Sequence, residues 1–247
     1  MSLGSRLLNV FAIPGDVFQE VKTAGVSTAN WLVPALILIA VGWVATWLIF
    51  SQDSIKHQLS EITDQAIQKQ VEQNHLSEQQ AEQAHAAGEK WGWIGGIVVS
   101  VLTPVFFGFV TPFIWGLIIW LVGAKLFKGG FPYMKAVEVV GLTNMVGVLD
   151  TIVRTLLIIG LGNLYAGPGL VLFIKDFDPQ NTVHGLLAIA NVMTFWVLTV
   201  RALGLARLSG ISFAKAAAWV FGIWAAYTGF FIGLGLVLKT VFKRMGG

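Results

Sequence analysis

The sequence predicts an all-α, polytopic membrane protein with about five transmembrane helices, N-terminal interfacial helices and an extramembrane helical hairpin between the first two crossings. Of its 247 residues, 55% are hydrophobic and only 12% are charged, whereas soluble domains carry roughly 25% charged residues. Five apolar runs are long, or nearly long, enough to cross a bilayer as helices, which satisfy their own backbone hydrogen bonds. These runs are Trp31–Phe50, Ile94–Ala124, Val137–Ile159, Gly185–Val200 and Ala216–Leu238.

Residues 1–30 are predicted to form an amphipathic interfacial segment that precedes a transmembrane domain of residues 31–247. In the stretch Pro14–Thr23, the proline suits the first helical position, and Val17, Phe18 and Val21 share one helix face. The segment has no unbroken apolar run, so we expect no cleaved signal peptide.

The segment Ser51–Lys90 is hydrophilic and free of proline, which is typical of an extramembrane helical hairpin. Ser77 and Gln80 have the spacing of a capping box that opens the second arm. We expect both arms to be continuous with the crossings beside them and to pack through apolar and small residues. These residues are Ile55, Leu59, Ile62 and Ala66 on the first arm and Ala81, Ala84 and Gly88 on the second.

The remaining apolar runs differ in regularity. The second is too long for one plain span, and Pro104 and Pro112 are the positions at which it can bend. The glycine-rich stretch Leu161–Ile174 is broken, and we expect it to be re-entrant or interfacial. Three cations mark the predicted loop between the fourth and fifth crossings: Arg201, Arg207 and Lys215.

Charge distribution favours a cytoplasmic N-terminus in a bacterial inner membrane, because the loops on the N-terminal side hold most of the basic residues. The basic residues on that side are Arg6, Lys22, Lys125, Lys128, Lys135, Arg201, Arg207 and Lys215, against Lys56, Lys69, Lys90 and Lys175 opposite. With five crossings, the basic C-terminal tail would lie outside, against the rule.

Polar residues inside the crossings are the candidate functional residues. Asp150 and Arg154 lie four residues apart on the third crossing, so they share a helix face and can pair. This pair is interpreted as a structural ion pair or, alternatively, as part of an ion, proton or substrate path. Asn144 and Asn191 are expected to hydrogen-bond between helices.

The fifth crossing carries two ridges of small residues, which allow helices to approach closely. They serve internal packing or, alternatively, a partner or homo-oligomer interface. The ridges are Ala218, Gly222 and Ala226, and Ala225, Gly229 and Gly233.

Enzyme chemistry finds no support in the sequence. The chain has no cysteine, and its four histidines have no metal-ligand spacing. The glycines at Gly160, Gly162 and Gly167 lack the following Lys-Ser/Thr of a phosphate loop. We therefore expect a non-enzyme with no cofactor, no metal site and no nucleic-acid partner.

Three segments resemble the Yip family (Ypt/Rab-GTPase-interacting proteins), in its prokaryotic branch. They are the opening Asn9–Val21, the turn Lys125–Pro132 and the segment Arg207–Ala216. The resemblance implies five transmembrane helices and a cytosolic N-terminus. It also implies kinship with eukaryotic proteins that bind small GTPases and with prokaryotic proteins, some of which accompany exporters of the ATP-binding-cassette class.

Two functional hypotheses follow. The first is an accessory or scaffold protein that contacts the lipid bilayer and organises or protects a membrane partner complex, such as an exporter. The alternative is a small transporter, channel or lipid-moving protein that uses the polar residues of the third crossing.

Overall fold

The computed structural model describes residues 1–72, 77–87, 93–174, 177–178, 181–189 and 191–245. Within these residues the chain is all-helical. Its α-helices are α1 (Leu3–Ala12), α2 (Pro14–Thr23), α3 (Ala29–Phe50), α4 (Asp53–Glu72), α5 (Glu78–Ala87), α6 (Trp93–Trp120), α7 (Tyr133–Leu161), α8 (Thr182–Ile189), α9 (Val192–Ser209) and α10 (Phe213–Met245). A π-helical turn, Leu121–Leu126, ends α6, and a 3-10 turn, Leu170–Phe173, follows α7.

Five of these helices are long and apolar enough to cross a membrane, which confirms the predicted fold class. The spans are Ala29–Phe50, Ile94–Leu126, Tyr133–Leu161, Val192–Ser209 and Phe213–Leu238. The chain is thus a multi-pass membrane protein. Because consecutive spans alternate in direction, α1, α2 and the turns after α6 and α9 share one end of the bundle, the N-terminal end. The α4–α5 hairpin and the segment between α7 and α9 lie at the other, the hairpin end.

Helix α7 is the centre of the bundle and packs against α3, α6 and α9. Its contact with α3 is so close that a Cβ on Gly141 would overlap the Cα of Trp31. A Cβ on Gly204 of α9 would likewise overlap the Val139 side chain of α7. These glycines let the helix backbones meet directly, as in other membrane bundles.

The N-terminal helices pack onto the bundle through their apolar faces. Val17, Phe18 and Val21, predicted to share a face of α2, are all buried in the main core. They lie against α9, whose Gly204 is close to the Phe18 ring.

The hairpin forms, but its packing differs from the prediction. The expected continuity of α3 with the first arm is wrong, because the helix breaks at Ser51 and Gln52. The predicted stripe does not face α5 along its length: Ile55 is buried against Ile158 and Ala166, and Ala66 is exposed.

The hairpin's second arm begins as predicted. Ser77 and Gln80 exchange the two hydrogen bonds of a capping box, at 2.9 and 3.3 Å. Ala81 is buried, and the predicted contact of Gly88 lies outside the described residues. The hairpin is anchored to the end of α7 by Ile55 of the first arm, which is buried against Ile158.

The predicted fourth crossing, Gly185–Val200, is wrong in its limits. Asn191 caps α9 by accepting a hydrogen bond from the backbone N–H of Met193, at 2.8 Å, so the apolar run divides between α8 and α9. The span begins at Val192 and extends to Ser209. Arg201 consequently lies inside a buried helix, where the sequence predicted a loop.

Candidate functional sites at the two ends of the bundle

Three of the four polar residues predicted from the sequence meet at the hairpin end. A guanidinium nitrogen of Arg154 lies 3.8 Å from a carboxylate oxygen of Asp150. The side chain of Asn191, at the start of α9, lies beside the Asp150 carboxylate. The two charged side chains are 42% and 29% exposed, for Arg154 and Asp150 respectively, so this is a partly solvated ion pair.

The segment that follows α7 closes over this pair. The Arg154 guanidinium lies against Gly167, where an added Cβ would come within 2.7 Å of it. Two residues on, Gly169 forms an isolated antiparallel bridge with Asn191, and Val192 donates to the carbonyl of Pro168 at 3.1 Å. Leu161–Ile174 is thus a loop and a 3-10 turn folded onto the helix ends, with no spanning helix.

Asn144 lies apart from this group, six residues before Asp150 and therefore about 9 Å nearer the other end of α7. Its side chain is buried, and its amide nitrogen has no hydrogen-bond partner within the described part of the chain. The predicted interhelical hydrogen bond from this amide is absent there.

A second charged group, not predicted from the sequence, lies at the N-terminal end of α7. Glu138 is fully buried, and its carboxylate accepts a hydrogen bond from the side-chain amide of Asn30 on α3. Lys135 is also buried and lies 3.0 Å from the same carboxylate. The ammonium further donates to the carbonyl of Gly25, at 2.8 Å.

This buried pair continues into the N-terminal helices. Arg6 of α1 donates to the side-chain oxygen of Asn30 at 3.2 Å and to Glu20 of α2 at 2.8 Å. The amino group of Met1 also pairs with Glu20, and its hydrogen bond, followed by that of Arg6, lowers the pKa of the Glu20 carboxyl. One chain of polar contacts therefore joins α1, α2, α3 and α7.

The network had a sequence signal. Glu138 lies inside the third apolar run, three residues after Lys135, a spacing that puts both side chains on one helix face. The sequence prediction gives Lys135 only a role in topology and does not include Glu138. Asn30 lies on another helix, so spacing alone could not assign it to the Lys135–Glu138 pair.

Arg201 is the other charged residue missed. Its guanidinium lies over the ring of Trp115 on α6, 4.5 Å from the ring centroid, and its Nε has no hydrogen-bond partner among the described residues. A cation over an aromatic face is attracted by the ring's quadrupole, most strongly when both are desolvated.

The small-residue ridges of α10 lie along the least covered span. Only 6% of its most apolar stretch is buried, against 28–50% in the other four spans. A Cβ added at Gly222, Gly229 or Gly233 would have nothing within 4 Å. Beside this face, a groove of about 460 Å³ lies between α9 and α10, lined by Trp224, Tyr227 and Phe231 among others.

Within the described residues, no three His, Asp or Glu side chains converge into a group that could hold a metal ion. The polar clusters instead consist of opposite charges and amides that bind each other.

Comparison with known protein families gives one finding. The sequence model described as the Yip1 domain matches residues 8–235. No curated protein matches the chain, and no solved structure matches it. The match covers the second half of α1, all of α2, and all five spans except the last residues of α10.

Proposed function

The chain belongs to the Yip1 family of membrane proteins, and from this premise we propose that it is a non-enzymatic accessory or scaffold protein of the bacterial inner membrane. It organises or protects a membrane-embedded partner complex, with an ATP-binding-cassette exporter as one such partner. Its docking element is the uncovered face of α10.

The exposure of α10 is the observation that carries this proposal. A helix with glycine ridges can bring its backbone close to another helix, which gains van der Waals contact that lipid tails do not match. The other spans use their close-approach glycines within the bundle, as at Gly141 and Gly204. The open ridge that includes Gly229 and Gly233 is left for a helix of a partner.

The partner is tested by purifying the tagged full-length chain from native membranes. The wild type should recover a membrane protein in stoichiometric amount, and the double variant Gly229→Leu with Gly233→Leu should lose it because leucines block close approach. The matched control is Gly95→Leu on α6, where an added Cβ also meets open space; it should retain the partner. A chain that stays solitary in several detergents, pairs only with itself, or keeps its partner in the double variant contradicts the proposal.

Transport is the less favoured function. Asp150 pairs with Arg154 beside Asn191, under the loop after α7, an arrangement that stabilises helix ends. We therefore interpret this cluster as structural, and reconstituted vesicles should show no ion flux and no lipid scrambling.

A cytoplasmic N-terminus is part of the proposal and is tested by cysteine labelling, since the chain has no native cysteine. Gly25 is exposed and has open space for a new side chain, so Gly25→Cys is the probe at this end. It should react with a membrane-impermeant reagent only after the membrane is opened. Ser77→Cys, in the hairpin, should react from outside, and the opposite pattern would reverse the orientation.

A further inference from the structure

A pocket at the N-terminal end lies between α2 and the turn that joins α9 to α10. Its volume is about 430 Å³, within the roughly 300–1,000 Å³ typical of small-molecule sites. Its lining residues are Gln19, Lys22, Leu203, Ala206, Arg207, Gly210, Ile211, Ser212 and Phe213.

Two cations, Lys22 and Arg207, line this pocket, and the first binds the backbone of the second. The ammonium of Lys22 donates to the backbone carbonyl of Arg207 at 2.9 Å, which uses one of its three N–H donors. The Arg207 guanidinium lies over Gly15, close enough that a Cβ there would lie 3.1 Å from its Nη2. Neither cation has an ion-pair partner among the described residues. Two positive charges thus share a concave site without a carboxylate.

Most of the remaining lining is apolar, with Gln19 and Ser212 as its polar members. Leu203 and Ala206 come from α9, and Phe213 opens α10. The pocket therefore has a cationic part and an apolar part next to each other, a combination that suits an amphiphile better than a free anion.

The pocket also lies at the depth of lipid headgroups. Arg207 is in the last turn of α9, and Phe213 is the first residue of the next span. The ends of spanning helices lie at the boundary of the hydrocarbon layer. Basic pockets between helices at this level are suited to acidic lipid headgroups.

We propose that this pocket binds the phosphate of an anionic phospholipid headgroup through Lys22 and Arg207. The apolar wall of Leu203, Ala206 and Phe213 receives the glycerol and the start of the acyl chains. A lipid held there bridges α2 to the last two spans.

The test is a titration of the full-length chain in detergent with phosphatidylglycerol or phosphatidylcholine, followed by native mass spectrometry. The wild type should prefer phosphatidylglycerol. Lys22→Gln with Arg207→Gln should bind it at least about tenfold more weakly, since each lost charged hydrogen bond is typically a factor of ten or more. Lys125→Gln with Lys128→Gln removes the same charge from the same end, outside the pocket, and should bind like the wild type.

Competition with inorganic phosphate and with glycerol 3-phosphate separates a lipid site from a phosphate site. We expect neither to displace the lipid at millimolar concentration, because they lack the apolar part. Displacement by either, an equal loss in the control variant, or no preference for the anionic lipid would overturn the proposal. If the double variant does not fold, as judged by its melting temperature, the single variant Lys22→Gln applies the same test.

Discussion

Helix α7 carries an ion pair at each end, and the two pairs have opposite surroundings. Lys135 and Glu138 are 5% and 0% exposed, and each also has a hydrogen-bond partner from another segment, the Gly25 carbonyl and the Asn30 amide respectively. Arg154 and Asp150 are 42% and 29% exposed and lie farther apart. The same helix is therefore fixed by a desolvated network at the N-terminal end and by a solvated cluster at the hairpin end.

The first prediction tests the buried pair and has the largest expected effect. Glu138→Gln retains an acceptor for Asn30 but leaves the Lys135 charge buried without its counter-ion. Removing one partner of a buried pair costs about 3–5 kcal/mol. Thermal unfolding in detergent should show this loss of stability in Glu138→Gln. The double variant Lys135→Met with Glu138→Gln should recover most of the lost stability. Equal destabilisation of both variants would contradict the prediction, because it would mean that the unpaired charge of Lys135 is not the cause of the loss.

The second prediction concerns what holds the hairpin end together apart from charge. Ile55 is fully buried against Ile158 and Ala166. Ile55→Ala should weaken docking of the hairpin by about 2 kcal/mol, at the lower limit for such truncations because the cluster is small. Limited proteolysis should cut Ser51–Lys90 faster. Ile62→Ala is the control, since Ile62 is half-buried and outside the cluster; cleavage that rises equally in both variants would contradict the anchor.

The third prediction tests the solvated pair. Asp150→Asn should destabilise the chain by about 1 kcal/mol, less than the buried pair because water still reaches Arg154. The double variant Asp150→Asn with Arg154→Gln should destabilise the chain less than Asp150→Asn alone, since it leaves no charge unpaired. Both are measured as thermal stability beside flux in vesicles. The transport function would be favoured if the wild type shows flux and both variants lose that flux while their thermal stability stays unchanged.

The fourth prediction, with the smallest effect, is the pH dependence at the rim of the buried network. The Glu20 pKa is lowered from 4.5 in the folded chain, so the carboxylate stabilises the fold above that pH and loses this contribution as the pH falls below it. The melting temperature should therefore drop as the pH falls below 4.5. Glu20→Gln should flatten this part of the pH profile, and an unchanged profile would exclude Glu20 as its source.

Most of the fold was predictable because lipid imposes simple rules. Apolar length predicted the five spans, and the Ser77–Gln80 spacing predicted the capping box. The limits of the fourth span were not predictable from hydropathy, because α8 ends at Ile189 and Asn191 caps α9 within one apolar run.

The candidate sites were predictable where partners lie on one helix. Asp150 and Arg154 were found from their spacing, but their contacts with Asn191 and Gly167 depend on how the loop after α7 folds back. The network around Glu138 depends on Asn30, more than a hundred residues away in the chain. Long-range contacts of this kind leave no periodic pattern in a single sequence.

The position of Arg201 has a consequence for biosynthesis. It lies near the middle of α9, the shortest of the five spans, at 18 residues, and the least hydrophobic. An arginine at a helix centre costs roughly 2.5–3.5 kcal/mol when the translocon offers that helix to lipid. Trp115 and the rest of α6 leave the ribosome earlier, so the aromatic ring that receives the cation is already in the bilayer when α9 arrives. Partition of α9 from the translocon thus depends on a helix made before it, and a chain without Trp115 should stall at this step of insertion.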